Sequence, residues 1–285
     1  MNEPWGIHTL EGPDLGGHGP AAVLGSLQGR TLALWESLDP HDWAAPSRNS
    51  GWTVHETARH VADTFELTAA DLAGAPSPFE GAGFDPRNTP VEWIGRSADE
   101  SPAGTIGRFV TAAEQMQSQV EERTAAGDDS LTTAPYGRTH WATLVTHMFW
   151  DAWLHERDIA LALGRESEST EEEMRLAGLY AALMVLLPYR GSAGMSFTVG
   201  MNRSDGTTLT TITAGIVVAA GGETALVASE SAPGADSAAE VKAEPGVTAE
   251  AAAVIDSLSG RGAPLGELLP GLAPELGLFA AFMAG

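Results

Sequence analysis

The sequence has no cysteine among its 285 residues. This absence excludes disulfide bonds, cysteine metal ligands and a cysteine nucleophile, so any thiol chemistry needs a thiol from outside the chain. Basic residues are scarce, since 15 Lys and Arg stand against 38 Asp and Glu and leave a formal net charge of −23. Such a charge repels phosphate backbones and anionic lipid headgroups, so we expect neither nucleic acid nor membrane as a partner.

Long apolar runs and nucleotide motifs are missing as well. No segment reaches the roughly twenty apolar residues that cross a bilayer, and the first residues lack the pattern of a signal peptide, so we expect a cytoplasmic protein. The sequence contains no P-loop, no G-x-G-x-x-G after a strand and no G-x-S-x-G elbow, which argues against ATP, NAD and serine-hydrolase chemistry. The acidic composition, rich in Ala, Gly and Thr, is typical of high-GC bacteria such as actinobacteria, or of salt-tolerant ones.

Apolar residues recur at helical spacing through the first two thirds of the chain and predict five helices. Capping boxes mark two helix starts, at Thr53 with Glu56 and at Thr170 with Glu173, and the Ser101-Pro102 pair marks a third. The segment from 85 to 102 is rich in Pro, Gly and Asn and is predicted to be a loop. The predicted helices span residues 21–38, 51–74, 102–127, 147–164 and 170–188, which together form a helical domain at 1–188.

After Pro188 the pattern changes to alternating residues rich in Thr and Val. Residues 194–215 surround a Ser-Asp-Gly turn and predict a β-hairpin. Further strands are predicted at 223–231 and 239–245, followed by a helix at 248–260 and a last short helix. We therefore predict the α+β class, with a smaller C-terminal α/β domain at 189–285.

The segment "HMFWDAWLHERDIALALG", residues 147–164, combines an apolar helix with two histidines and two aspartates on one stripe. At about 100° per residue, Asp151 and His155 lie about 40° apart on one face, and His147 and Asp158 flank them. The rest of the helix is apolar nearly all round, so it should lie inside a bundle. A buried carboxylate and imidazole cost several kcal/mol unless they are paired or bind a cation.

Two interpretations of this stripe remain open from spacing alone. Asp151 and His155 can bond each other or a neighbouring helix, or they can supply two metal ligands, with a third from another helix and an open position for water or substrate. The segment "HETARH" at 55–60 is not a zincin motif, because its histidines are five apart instead of four. We expect His55 at the surface, and periodicity places His60 at the edge of its helix.

The segments "GWTVHETARHVAD" and, about ninety residues later, "HMFWDAWLHERDIALALG" resemble the mycothiol-dependent maleylpyruvate isomerase family. The resemblance implies a DinB-like four-helix bundle followed by a smaller C-terminal domain with a segment like "VIDSLSGRGAPLGELLP". It also implies a divalent metal, usually zinc, held by His60, Asp151 and His155, with Asp where the family often has Glu. Arg261, in the C-terminal "GR" pair, corresponds to a contact for the substrate or thiol.

Three functional hypotheses follow. Each involves a small-molecule substrate or ligand, and none determines the oligomeric state. In the first, a metal-dependent enzyme uses mycothiol or another small thiol as an isomerase or S-transferase. The second is a tailoring enzyme of secondary metabolism that uses the metal as a Lewis acid without a thiol, and the third is a non-catalytic metal-binding or ligand-binding protein. In the enzyme, we expect His147 or Asp158 to orient a metal-binding imidazole.

Overall fold

The computed structural model describes residues 19–76, 85, 88–134, 137–189, 193–218, 224–231 and 247–261. These residues form two compact units that divide between Glu168 and Ser169. The elements of the first unit are α1 (Gly19–Glu36), α2 (Pro40–Ala44), α3 (Val54–Leu72), α4 (Thr89–Arg96), α5 (Pro102–Ala126), β1 (Leu131–Ala134), β2 (Gly137–His140) and α6 (Trp141–Ala162).

The four long helices of the first unit form a bundle. Helices α1 and α3 each pack against both α5 and α6, which confirms the predicted four-helix arrangement. Helix α3 begins at the predicted capping box, where Thr53 accepts the Glu56 backbone N–H and Glu56 accepts that of Thr53. Helix α5 begins after Ser101 as N-cap and ends at Gly127, whose φ of 60° is the left-handed conformation that glycine adopts without steric cost.

Aromatic rings fill the centre of the bundle. The ring of Phe109 lies 4.8 Å from that of Trp35 and 5.0 Å from that of Phe65, measured between ring centroids. Helix α6 is buried along most of its length, so its polar side chains have little access to water. None of the described helices combines the length and apolarity that a membrane crossing needs.

The prediction of a loop at 85–102 was wrong in part, because residues 89–96 form helix α4. Pro90 lies in the first turn, where its fixed φ favours a helix start, and Ile94 is buried. The guanidinium of Arg59 donates to the carbonyl oxygens of Ile94 and Ser97 at 3.2 and 2.5 Å. A side chain on α3 therefore satisfies backbone carbonyls at the C-terminal end of α4. Local composition does not predict this contact.

The second unit contains a four-stranded sheet in the order β5-β4-β3-β6. Strands β3 and β4 form the predicted antiparallel hairpin, whereas β6 pairs in parallel with β3, which the sequence pattern did not predict. The predicted strand at 239–245 and the last helix lie outside the described residues. The elements are α7 (Glu171–Leu186), a 3₁₀ turn (Leu187–Tyr189), β3 (Ser196–Asn202), β4 (Thr208–Val218), β5 (Thr224–Ser231), β6 (Val247–Glu250) and α8 (Ala251–Leu258).

Helix α7 packs against β4, β5 and α8 in the second unit. The packing units therefore divide before α7, whereas the sequence predicts a domain boundary after residue 188. After its charged first turn, helix α7 is apolar nearly all round, so its sequence does not indicate which unit it packs against. This explains why the predicted and the observed boundaries differ. The α+β class is confirmed, with a helical bundle followed by an α/β unit.

Arg108 on α5 joins two helices of the bundle through three carboxylates. Its guanidinium lies 2.6 Å from Asp63 and from Glu66 on α3, and 2.9 Å from Glu100. Burial raises the pKa of the Asp63 carboxyl, an effect that the Arg108 guanidinium opposes. Arg108 thus compensates a carboxylate that is mostly removed from water.

We expect Arg108→Met to lower the free energy of unfolding by about 1 to 3 kcal/mol, less than for a fully buried pair, since Arg108 is partly exposed. Urea denaturation measures the loss, and adding Asp63→Asn should restore part of it. Arg203→Met, which breaks the exposed pair with Glu171, is the control and should cost less. Equal losses in the two arginine variants would contradict this role of Arg108.

Candidate metal centre

Three side chains from two packed helices face one another inside the bundle. The Nε2 atom of His60 on α3 lies 3.3 Å from Oδ2 of Asp151 on α6. The Nε2 atom of His155, one turn further along α6, lies 3.5 Å from Oδ1 of the same carboxylate. Both histidines are buried, with 7% and 4% of their surface exposed. The structure thus brings together the three residues that the resemblance implied as ligands.

Trp52 forms an aromatic wall beside both imidazoles. Its ring centroid lies 5.2 Å from that of His60 and 6.2 Å from that of His155. A turn fixes its backbone, because the Trp52 N–H donates to the carbonyl of Asn49 and its carbonyl accepts the N–H of Ser47. Trp52 was not predicted from the sequence, although its position directly before the N-cap of α3 in "GWTVHE" was a usable signal.

The two residues that flank the predicted ligands on α6 have different surroundings. Oδ2 of Asp158 lies 3.2 Å from Nδ1 of His155, and Asp158 is only 1% exposed. His147 is partly exposed, and its ring lies 5.8 Å from that of Trp150. Burial lowers the pKa of His147 to about 4 against the opposing effect of Asp151, so His147 is neutral at pH 7.

The electrostatics of the metal-free cluster favour an imidazolium between carboxylates. Burial alone would raise the pKa of the Asp151 carboxyl, but His60 and His155 beside it hold that pKa well below its ordinary value. Burial would likewise lower the pKa of His155, yet Asp151 and Asp158 raise it to about 9. At pH 7, His155 therefore carries a proton in the absence of a metal.

The donor set fits a divalent metal such as zinc. Two imidazole nitrogens and a carboxylate, all within 4.8 Å of one another, are available. The Nε2 atoms of His60 and His155 lie 3.3 and 3.5 Å from different oxygens of the Asp151 carboxylate. These distances are similar to the edge of about 3.3 to 3.4 Å between two ligands of a tetrahedral zinc ion. Oδ2 of Asp151 is buried and has His60 Nε2 beside it. Three protein ligands would leave a coordination position open, as in catalytic zinc sites.

Two further residues from the sequence analysis, His55 and Arg261, each have described contacts of their own. His55 is half-buried and not at the surface as expected, because Trp43 and α5 cover it, and its Nε2 lies 3.0 Å from the Thr105 hydroxyl. Arg261 follows α8 in the second unit and donates from Nη1 to the Ser259 carbonyl at 3.1 Å. A role of Arg261 toward substrate or thiol stays a prediction.

The first unit is therefore a helical bundle with two imidazoles and a carboxylate in its interior. This arrangement is that of a small domain with an internal candidate metal centre. The family model of the mycothiol maleylpyruvate isomerase N-terminal domain matches residues 24–160 of this chain. That range contains His60, Asp151 and His155. The match confirms the resemblance to the mycothiol-dependent maleylpyruvate isomerase family that the two sequence motifs predicted.

Two solved structures are similar to most of the chain. A mycothiol-dependent maleylpyruvate isomerase has a TM-score of 0.52 at 12% identity, over 85% of this chain and 88% of that one. A histidine-to-alanine mutant of such an isomerase has a TM-score of 0.53 at 13% identity, over 90% and 94%. At these identities the likeness shows the shared fold. A comparison with curated proteins finds no match.

Zinc binding should release a proton, because a protonated Nε2 of His155 cannot act as a ligand. With the pKa of His155 raised to about 9, we expect close to one proton released per zinc at pH 7, falling toward zero above pH 9. Zinc affinity should rise with pH over the same range. Calorimetry of the metal-free protein in two buffers with different ionisation enthalpies measures the proton count. A binding enthalpy independent of buffer at pH 7 would contradict the protonated cluster.

Proposed function

We propose that this chain is a metal-dependent enzyme that uses a small thiol, such as mycothiol, to isomerise or conjugate a small electrophilic substrate. The observation that carries this proposal is the convergence of His60, Asp151 and His155 from two helices within a domain of this family. Both similar structures are of mycothiol-dependent maleylpyruvate isomerases, which supports the thiol and the reaction type.

Different residues of the chain would bind the metal and the substrate or thiol. His60, Asp151 and His155 would hold the metal, and Trp52 shields one side of the two imidazoles from water. A bound zinc ion would lower the pKa of a thiol at the open position and so keep it as thiolate. Because the chain has no cysteine, that thiol must be a separate molecule. We propose that Arg261 binds an anionic group of the substrate or the thiol.

Isomerisation by this route requires no net oxidation. The thiolate forms a C–S bond with one carbon of the activated cis double bond, and the electron pair moves into the conjugated carbonyl. Rotation about the resulting single bond follows, and elimination of the thiolate forms the trans double bond. With an electrophile that cannot eliminate the thiolate, the C–S bond persists and the product is a thioether.

The purified protein should bind about one zinc ion per chain. We expect His60→Ala and His155→Ala to weaken zinc binding at least 100-fold, since each removes one of three ligands. His55→Ala is the matched control on the same helix as His60 and should bind zinc like the wild type. Elemental analysis and chelator competition measure this binding. Failure of the wild type to bind zinc, manganese, nickel or iron after loading would refute the metal centre.

A thiol should bind to the cobalt-substituted protein and produce an intense near-ultraviolet charge-transfer band, because thiolate is a strong ligand of such metals. The band should be lost in Asp151→Ala and His155→Ala. Arg261→Ala should retain the metal and the band but reduce turnover of maleylpyruvate or of an electrophilic test substrate.

The absence of that band and of activity with mycothiol or simpler thiols, in a protein that does bind metal, would favour the Lewis-acid alternative. That alternative uses the same residues, since two histidines and a carboxylate also form the zinc site of peptidases. A metal-loaded protein with no activity of either kind would instead indicate a binding protein.

A further inference from the structure

We infer that Asp158 is a positioning residue that fixes the tautomer and orientation of His155, an inference that rests on the proposed metal centre. The imidazole of His155 has a carboxylate at each nitrogen, with Asp158 at Nδ1 and Asp151 at Nε2. A neutral imidazole carries one proton, and a carboxylate at Nδ1 holds it there. The lone pair of Nε2 is then directed toward the ligand cluster.

The burial of Asp158 makes this contact hard to replace. Only 1% of the residue is exposed, so water has little access to the carboxylate beside Nδ1. A hydrogen bond from an imidazole N–H to a carboxylate is stronger where water is excluded. Rotation of the ring would lose this bond, so burial favours the ring orientation in which Nδ1 donates its proton to Asp158.

The second histidine of the cluster has no equivalent partner among the described residues. Nδ1 of His60 is buried and lacks a hydrogen bond within that part of the chain. The described contacts of His60 are its Nε2 with Asp151 at 3.3 Å and its ring with those of Trp52 and His155. Among the described residues, a carboxylate at Nδ1 is therefore seen for His155 alone of the two.

The side chain of Asp158 can be tested separately from its backbone. Its carbonyl oxygen accepts the N–H of Arg48 at 3.1 Å, which ties α6 to the turn before Trp52. A side-chain substitution leaves this backbone bond available. Asp158→Asn also keeps the size of the side chain while it removes the charge that holds the Nδ1 proton.

The matched control is Glu156, a neighbour on α6 that is 3% exposed. It accepts the hydroxyl of Ser167 at 3.0 Å and lies 3.6 Å from Arg30. Glu156→Gln therefore removes one buried carboxylate charge from the same helix without touching His155. An effect of Asp158→Asn that arises only from a lost buried charge should be reproduced by this control.

The experiment measures zinc affinity of the full chain by competition with a chromophoric chelator. We expect Asp158→Asn to weaken zinc binding about 10- to 100-fold, as loss of such a partner does in other zinc sites, and Glu156→Gln to stay within a factor of three of wild type. Equal affinity in wild type and Asp158→Asn, or equal loss in both variants, would overturn the inference.

A second measurement uses the wild-type protein and does not depend on the folding of a variant. Nitrogen-15 spectra of the zinc-loaded protein, with the His155 ring assigned through scalar couplings to its own backbone, should show a protonated Nδ1 and a zinc-bound Nε2. A zinc-bound Nδ1 would overturn the inference while leaving the proposed function intact. Failure of the wild type to bind any metal would instead overturn the proposed function, and the inference with it.

Discussion

Helix α6 places charged and polar side chains inside the bundle, and their burial constrains the candidate site. Asp151, His155 and Asp158 have little access to water there and must be satisfied by protein groups or a bound cation. Carboxylates on both sides of His155 stabilise its charged form. The same geometry places Nε2 of His155 beside Asp151, which also faces His60.

Ordinary helix packing brings His60 into the same cluster. Helix α3 lies against α6, which places His60 within ion-pair distance of Asp151. The turn before α3 adds the ring of Trp52 beside both imidazoles. The N-terminal half of α3 and the turn before it thus supply one imidazole and the aromatic wall, and the capping box fixes where the helix begins.

The composition is compatible with the proposed function. A chain without cysteine offers no internal thiolate that would compete with an external thiol for a metal. Asp151 has a shorter side chain than the glutamate that the family resemblance implies, and both oxygens of its carboxylate still face an imidazole. The cluster is therefore compact without the longer side chain.

Local sequence determined the helix ends and one residue pair of the candidate site. Thr53 with Glu56, Thr170 with Glu173, and Gly127 act on atoms within one helical turn, so their effects could be predicted without knowledge of the fold. The pairing of Asp151 with His155 follows in the same way from a spacing of four residues. The resemblance added His60, which periodicity alone had placed at the edge of its helix.

Only the tertiary structure decided which neighbours surround each of these side chains. Asp158 and His147 flank the same stripe, yet Asp158 contacts Nδ1 of His155 whereas His147 packs beside Trp150, a difference set by the position of each residue within the bundle. Helix α4 depends on Arg59 from another helix, and β6 depends on pairing with a distant strand. These features require contacts between residues far apart in sequence, which local periodicity does not encode.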